Sequence, residues 1–235
     1  MKYQRVLLKL SGESLQGNGT SALEEDRLIH FAREIRSVHE KGVQIAIVIG
    51  GGNIFRGLKG TGQGISRVQG DYMGMLATLI NSLALQQMLE DSGVKACVLS
   101  ALAIESLAEK ITSRRAIEAL ENGQVVILAG GTGNPFFTTD TAAVLRALET
   151  KADIILKGTR VDGIYSADPE KDPKAVWYED ITFDEALQKG LKIMDLTAFT
   201  LCRDNHLPLI VFNANTEGNL LRILRGEKIG TLVHM

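Results

Sequence analysis

Short apolar runs rich in β-branched residues recur along the chain, and each gives way to a glycine or turn and then to a stretch of helical periodicity. The runs predict strands over Arg5–Leu10, Gln44–Ile49, Ala96–Leu99, Val125–Ala129, Ala152–Lys157 and Leu209–Phe212. The periodic stretches predict helices over Glu24–Lys41, Asp71–Ser92, Ile104–Asn122, Thr139–Thr150, Thr182–Gly190 and Asp195–Asn205. Gly42, Gly93, Gly123 and Gly190 stand where helix C-termini need a left-handed residue. Strands this apolar are buried on both faces, so the pattern predicts an α/β protein: a three-layer α/β/α sandwich with a mainly parallel central sheet. No Pro/Ser-rich linker or internal repeat divides it, so residues 1–235 read as one domain. Gly57–Gly70 is glycine-rich and predicts a mobile loop, and Gly158–Tyr178, with Asp168, Pro169, Asp172 and Pro173, predicts a long surface excursion.

The stretch Asp71–Ser92 departs from simple amphipathicity, because Met73, Met75, Leu76, Leu79, Ile80, Leu83, Leu85, Met88 and Leu89 occupy more than one helical face. One face can meet the sheet and another needs a partner. A subunit interface is therefore expected here, with burial inside the chain as the alternative.

Composition narrows the function. The chain has 235 residues, 45% hydrophobic and 23% charged, the profile of an ordinary globular protein. With 26 Lys and Arg against 28 Asp and Glu, the formal charge of -2 gives no electrostatic reason to expect nucleic acid or a membrane as partner. Lys9 interrupts the first apolar run and no small-residue cleavage site follows, so a cytoplasmic protein is expected. Cys97 and Cys202 lack metal-ligand spacing and read as reduced core residues.

The candidate chemistry sits where strands end. In a doubly wound sheet, ligands bind beyond the carboxyl ends of the strands. Those ends read Lys9-Leu10-Ser11-Gly12, Gly50-Gly51-Gly52-Asn53, Gly130-Gly131-Thr132-Gly133-Asn134 and Lys157-Gly158-Thr159. Glycines let backbone N–H groups approach phosphate oxygens, and helix N-termini add partial positive charge. Four such turns on one edge suggest a multiply phosphorylated ligand. Lys9 and Lys157 can follow a moving phosphoryl group, and Arg56 offers a planar fork for a fixed one. Asp140, at a predicted helix start, can cap that helix or hold the two lysines. No G-x-x-x-x-G-K-[ST] motif occurs, and Gly17-Asn18-Gly19-Thr20-Ser21-Ala22 is too far from its strand to be a dinucleotide fingerprint. His30, His39, His206 and His234 show no zinc spacing and no nucleophile motif.

At these residues the sequence resembles the amino acid kinase superfamily. Asp153-Ile154-Ile155 followed by Thr159, Val161-Asp162-Gly163-Ile164-Tyr165 and Asp168-Pro169 is similar to its nucleotide segment. Val48–Gly57, Gly70-Asp71-Tyr72-Met73-Gly74-Met75, Thr132–Asp140 and Met194-Asp195-Leu196-Thr197-Ala198-Phe199 resemble its bacterial UMP kinase branch. The resemblance implies transfer of the ATP γ-phosphate to UMP, with a catalytic set of Lys9, Lys157, Asp140 and Arg56. It implies ATP contacts at Lys9, Leu10, Ser11, Gly12, Gly52, Arg56, Thr159, Tyr165 and Asp168. UMP would be held by Gly51, Asp71, Thr132, Gly133, Asn134, Pro135, Phe136, Phe137, Thr138 and Thr139, with Asp71 on ribose hydroxyls. Roughly, residues 1–150 would form the acceptor-binding half and 151–235 the ATP-binding half. No acidic cluster suggests a protein-held metal, so Mg²⁺ would arrive with ATP. The family is generally a hexamer inhibited by UTP. GTP activation is expected to be weak or absent, because Gln86, Gln87 and Glu90 stand where some GTP-responsive relatives carry basic side chains. Rival readings are a carboxylate or carbamate kinase and a nucleotide-binding storage or regulatory protein. All kinase readings require Lys9 and Lys157 to meet at one rim of the sheet.

Overall fold

The structure is a computed structural model and describes residues 1–16, 21–55, 64–169 and 171–235. A nine-stranded sheet forms its middle layer, in the order β4-β3-β5-β2-β1-β6-β10-β11-β9. The strands are β1 (Arg5–Leu10), β2 (Gln44–Ile49), β3 (Ala96–Ser100), β4 (Glu109–Lys110), β5 (Val125–Ala129), β6 (Ile154–Thr159), β9 (Asp180–Thr182), β10 (Leu209–Asn213) and β11 (Thr231–His234). Every pairing is parallel except β10 with β11. A separate antiparallel pair, β7 (Ile164–Tyr165) and β8 (Trp177–Tyr178), projects from the excursion expected over Gly158–Tyr178.

The alternation of strand side chains decides what each face holds. Val6, Leu8 and Leu10 of β1 and Ile45, Ile47 and Ile49 of β2 join one core. That core is covered by α2 (Glu25–His39), α3 (Arg67–Asp91) and α8 (Asn219–Leu224). Leu7, Ala46, Val48 and Ile155 point the other way, beneath α4 (Ser113–Glu121), α5 (Thr139–Thr150), α6 (Phe183–Gln188) and α7 (Leu196–Asp204). A short α1 (Glu13–Gln16) follows β1. The expected three-layer sandwich is therefore present, and the four glycines at predicted helix ends all have positive φ.

The sheet changes direction between β1 and β6. From β1 the chain first builds towards β2, β5 and β3, and then from β6 towards β10 and β11. The loops at the carboxyl ends of these two strands diverge and leave a crevice, the place where open α/β sheets bind ligands.

Several boundaries differ from the sequence reading. The helix expected over Ile104–Asn122 is only Ser113–Glu121. Glu109 and Lys110 instead pair with β3 as an edge strand, and the Thr112 hydroxyl starts the helix by accepting from Arg115 N at 3.1 Å. Conversely, α3 begins at Arg67, four residues before the expected Asp71, because Ser66 caps it by accepting from Gln69 N. Gly70 is thus helical rather than part of a loop; residues 57–63 of that expected loop lie outside the described residues. The strand expected over Ala152–Lys157 is shifted to Ile154–Thr159. Cys202 is buried, which pushes its thiol up to about 12, so it stays a protonated core group.

Ile155 is fully buried between β6 and the α5–α7 layer. Ile155→Ala is expected to destabilise the fold by about 2–5 kcal/mol, seen as a lower urea midpoint with an unchanged m-value.

Candidate active site

The crevice is built around a register. Lys9 of β1 and Lys157 of β6 are direct partners across adjacent parallel strands, so their side chains leave the sheet on the same face. That face is the one covered by α5, whose first turn carries Asp140. Lys157 Nζ donates to Asp140 Oδ2 at 2.6 Å and to the Ile193 carbonyl at 2.7 Å. Lys9 Nζ lies 2.6 Å from the other oxygen, Oδ1, as a close ion pair. Lys9 is only 7% exposed, so this is a buried cluster rather than a surface bridge. The cap of α5 is Thr138, whose hydroxyl accepts from Asp140 N and Thr141 N at 3.1 Å each. Asp140 is therefore not needed as a cap and is spent on the lysines.

Among the described residues, two cavities open at this cluster and a third lies nearby. One of about 780 Å³ is lined by Lys9, Ser11, Ser14, Arg27, Lys157 and Thr159, among others. A second, about 450 Å³, continues past Lys157 and Thr159 to Tyr165, Asp168 and the segment 189–193. The third, about 160 Å³, lies on the α3 side and is lined by Gly51, Gly52, Asp71, Thr132, Asn134 and Thr138 with their neighbours. Two cavities that share Lys157 and Thr159 in their walls thus lie against the cluster, and the smaller one is walled by Thr138 and Thr139, the two residues before Asp140.

A model of the amino acid kinase family matches residues 4–213. The chain belongs to the amino acid kinase family. A uridylate kinase of Bacteroides thetaiotaomicron is 59% identical over 233 residues, covering 99% of both chains. Among solved structures of this family's fold, the UMP kinase of Bacillus anthracis superposes with a TM-score of 0.96 at 39% identity, over 100% of this chain and 97% of that one. The UMP kinase of Ureaplasma parvum gives 0.94 at 40% identity, over 100% of both.

Against that family background, the other expected site residues fall as follows. Ser11, Thr159, Tyr165 and Asp168 line the two larger cavities. Gly12 lies against the second glycine turn so closely that a Cβ would stand 2.6 Å from Gly50 O and 2.9 Å from Gly52 N. Leu10 turns into the core and gives its carbonyl to Gly50 N, so it offers the rim no side chain. Gly52, expected beside ATP, lines the smaller cavity with Gly51. Thr132, Asn134, Phe137, Thr138 and Thr139 also line that cavity. Gly133, Pro135 and Phe136 only shape the loop above it; Phe136 has φ 73 and donates its N–H to Asp71 Oδ2 at 2.8 Å. Arg56 lies outside the described residues.

Asp71 is held by Arg67, whose Nε lies 2.9 and 2.8 Å from its two oxygens. Two buried polar residues of the framework, Asn81 and Thr78, were not legible as such. Asn81 donates to Gly50 O at 2.7 Å and exchanges amide bonds with Asn53, while Thr78 accepts from Gly130 N at 2.9 Å. These bonds tie two glycine turns to α3. Arg27 donates to Ser14 O at 2.9 Å and to Asn215 while facing the largest cavity. Among the described residues, no three His, Cys, Asp or Glu side chains group to hold a metal ion.

Burial opposes ionisation of Asp140, but the ammonium groups of Lys9 and Lys157 outweigh it and hold the carboxyl below its usual range. Burial, reinforced by the like charge of Lys9, lowers Lys157 despite the opposing pull of Asp140. Titration of the Lys157 side-chain nitrogen by NMR is expected to show deprotonation below the ordinary lysine value of about 10.4. In Asp140→Asn the midpoint should move lower still, because a charge favouring the ammonium is gone; an upward move would contradict the cluster.

Proposed function

We infer that this chain is a UMP kinase, transferring the γ-phosphate of ATP to UMP. The observation that carries the reading is the pair of register-matched lysines on one carboxylate, at the wall of two larger cavities with a smaller one nearby. In this reading ATP lies with its adenosine along Tyr165 and Asp168 and its phosphates towards Lys9, Ser11 and the Gly12 turn. UMP lies in the smaller cavity, with Asp71 accepting from ribose hydroxyls and the 132–139 loop around its phosphate. The two halves of the chain, roughly 1–150 and 151–235, then bind acceptor and donor on opposite sides of the switch between β1 and β6.

An oxygen of the UMP phosphate attacks Pγ in line, the bond from Pγ to the β–γ bridging oxygen breaks, and ADP leaves. The acceptor is already an anion at neutral pH, so no proton must be removed. The barrier is set by repulsion between two anions and by their alignment. Lys9 and Lys157 reduce that repulsion, and Asp140 keeps two like-charged ammonium groups close together before substrate arrives. Mg²⁺ enters as part of the ATP substrate. The product, UDP, places the enzyme in pyrimidine nucleotide synthesis, and we take it to work in the cytoplasm. Among the described residues no helix is long and apolar enough to cross a membrane.

We also read the chain as a homo-oligomer, a hexamer by family resemblance. Val68, Tyr72, Leu76 and Ile80 recur at four-residue spacing on α3 and are all exposed, which intrachain burial leaves unexplained. UTP carries the same uridine as UMP and would compete for the acceptor space as a feedback inhibitor. GTP has little to hold it on α3, where Gln86 and Gln87 are hydrogen-bonded to Glu90 and Asp91.

A panel of UMP, CMP, AMP, aspartate, acetylglutamate and carbamate with MgATP, read by coupled ADP release, tests the reading. Rapid turnover with UMP is expected. Turnover of only an acid would assign a different kinase, and binding without turnover a storage or regulatory role. Asp71→Asn should raise the KM for UMP while leaving kcat nearly unchanged.

A further inference from the structure

Behind the lysine cluster lies a second carboxylate that the mechanism above does not use. Asp195 precedes α7 and caps it, accepting from Ala198 N at 3.0 Å. The same carboxylate accepts from the Thr141 hydroxyl, 3.1 Å from both its oxygens, and from the Thr138 hydroxyl. Both threonines belong to the start of α5. Thr138 in turn accepts from the backbone N–H of Asp140 at 3.1 Å, so an unbroken chain of hydrogen bonds runs from Asp195 through Thr138 to Asp140. Two residues before Asp195, the Ile193 carbonyl accepts from Lys157. The segment 189–193 also walls the 450 Å³ cavity, while Thr138 walls the 160 Å³ one. One carboxylate therefore joins a wall of each substrate space.

We propose that Asp195 is a positioning residue, which through the hydroxyls of Thr138 and Thr141 fixes the first turn of α5 and with it the place of Asp140 between Lys9 and Lys157. The proposal rests on the kinase reading of the site. A cap for α7 alone would need only one of the two carboxylate oxygens, and Asn or Ser would serve there as well. With Oδ1 taken by the Ala198 N–H and Oδ2 by the Thr138 hydroxyl, both oxygens must accept at once, which a carboxylate does and an amide does not. The consequence is geometric: when the first turn of α5 shifts, Asp140 moves off the line between the ammonium groups, and alignment of donor and acceptor is lost with it. A second consequence is electrostatic. Lys157 is faced by Lys9 from β1, Asp140 from α5, Asp195 from the segment before α7 and Cys202 from α7. Of these, Asp195 and Asp140 favour its ammonium form.

The test compares wild type with Asp195→Asn, which keeps an oxygen for the cap of α7, in steady-state assays with UMP and MgATP. The expected result is a fall in kcat of about a hundredfold, the scale of a 1 Å misplacement, with both KM values little changed. The alkaline limb of the kcat profile should move to lower pH, since a negative charge favouring protonated Lys157 has gone. A variant with lower thermal stability but wild-type kcat and an unmoved limb would reduce Asp195 to a helix cap and overturn the proposal. So would a raised KM for UMP at constant kcat. Should Asp195→Asn not fold, Thr141→Val leaves the cap intact and removes two of the contacts; it is expected to lower kcat by a smaller factor, and wild-type kcat there overturns the proposal equally. Wild-type enzyme without UMP turnover would instead sink the kinase reading, a result that the variants cannot mimic.

Discussion

The pairing of β1 with β6 is the constraint on which the rest of the molecule depends. It places Lys9 opposite Lys157, and a slip of one residue in that register would send one of the two into the opposite core, among Leu8, Leu156 and the helices α2 and α8. The flanking side chains hold it: Leu7 and Ile155 commit their strands to one face, while Leu8 and Leu156 commit them to the other. Nothing in the ladder itself prefers two ammonium groups side by side. The apolar pattern of both strands imposes it.

Two like charges taken out of water are unfavourable unless an opposite charge lies between them. Asp140 meets that need with one oxygen for each lysine. The trio by itself carries a net positive charge, and the carboxylate of Asp195 behind it offsets part of the field at Lys157.

The layers, the glycine-ended helices and the convergence of Lys9, Lys157 and Asp140 were legible because each leaves a local mark: a β-branched run, a Gly after a periodic stretch, a lysine at a strand end. What escaped depends on partners far away in sequence. Residues 104–112 carry helical periodicity, yet Glu109 and Lys110 pair with β3 because an edge was open there. The shift of β6 by two residues follows from pairing with β1 and β10, which no property of Ala152 or Gly158 announces. Leu10 sits in the right tetrapeptide but on the wrong side of the strand, a consequence of simple alternation. Asn81, Thr78 and Asp195 were visible as letters, but their partners lie 31, 52 and 54 or more positions away. Polar residues inside the apolar stretch of α3 were the available hint for the first two.

The same helix α3 carries a further consequence. Its inner side supplies Asp71 and Thr78 to the 160 Å³ cavity and braces the Gly50–Asn53 turn, while its outer side exposes the apolar ladder from Val68 to Ile80. Only the thickness of one helix, about 10 Å, separates whatever touches that ladder from the floor of the pocket. Packed interiors transmit displacement rather than absorb it. Anything that rotates or slides this rod therefore reshapes the pocket that it borders.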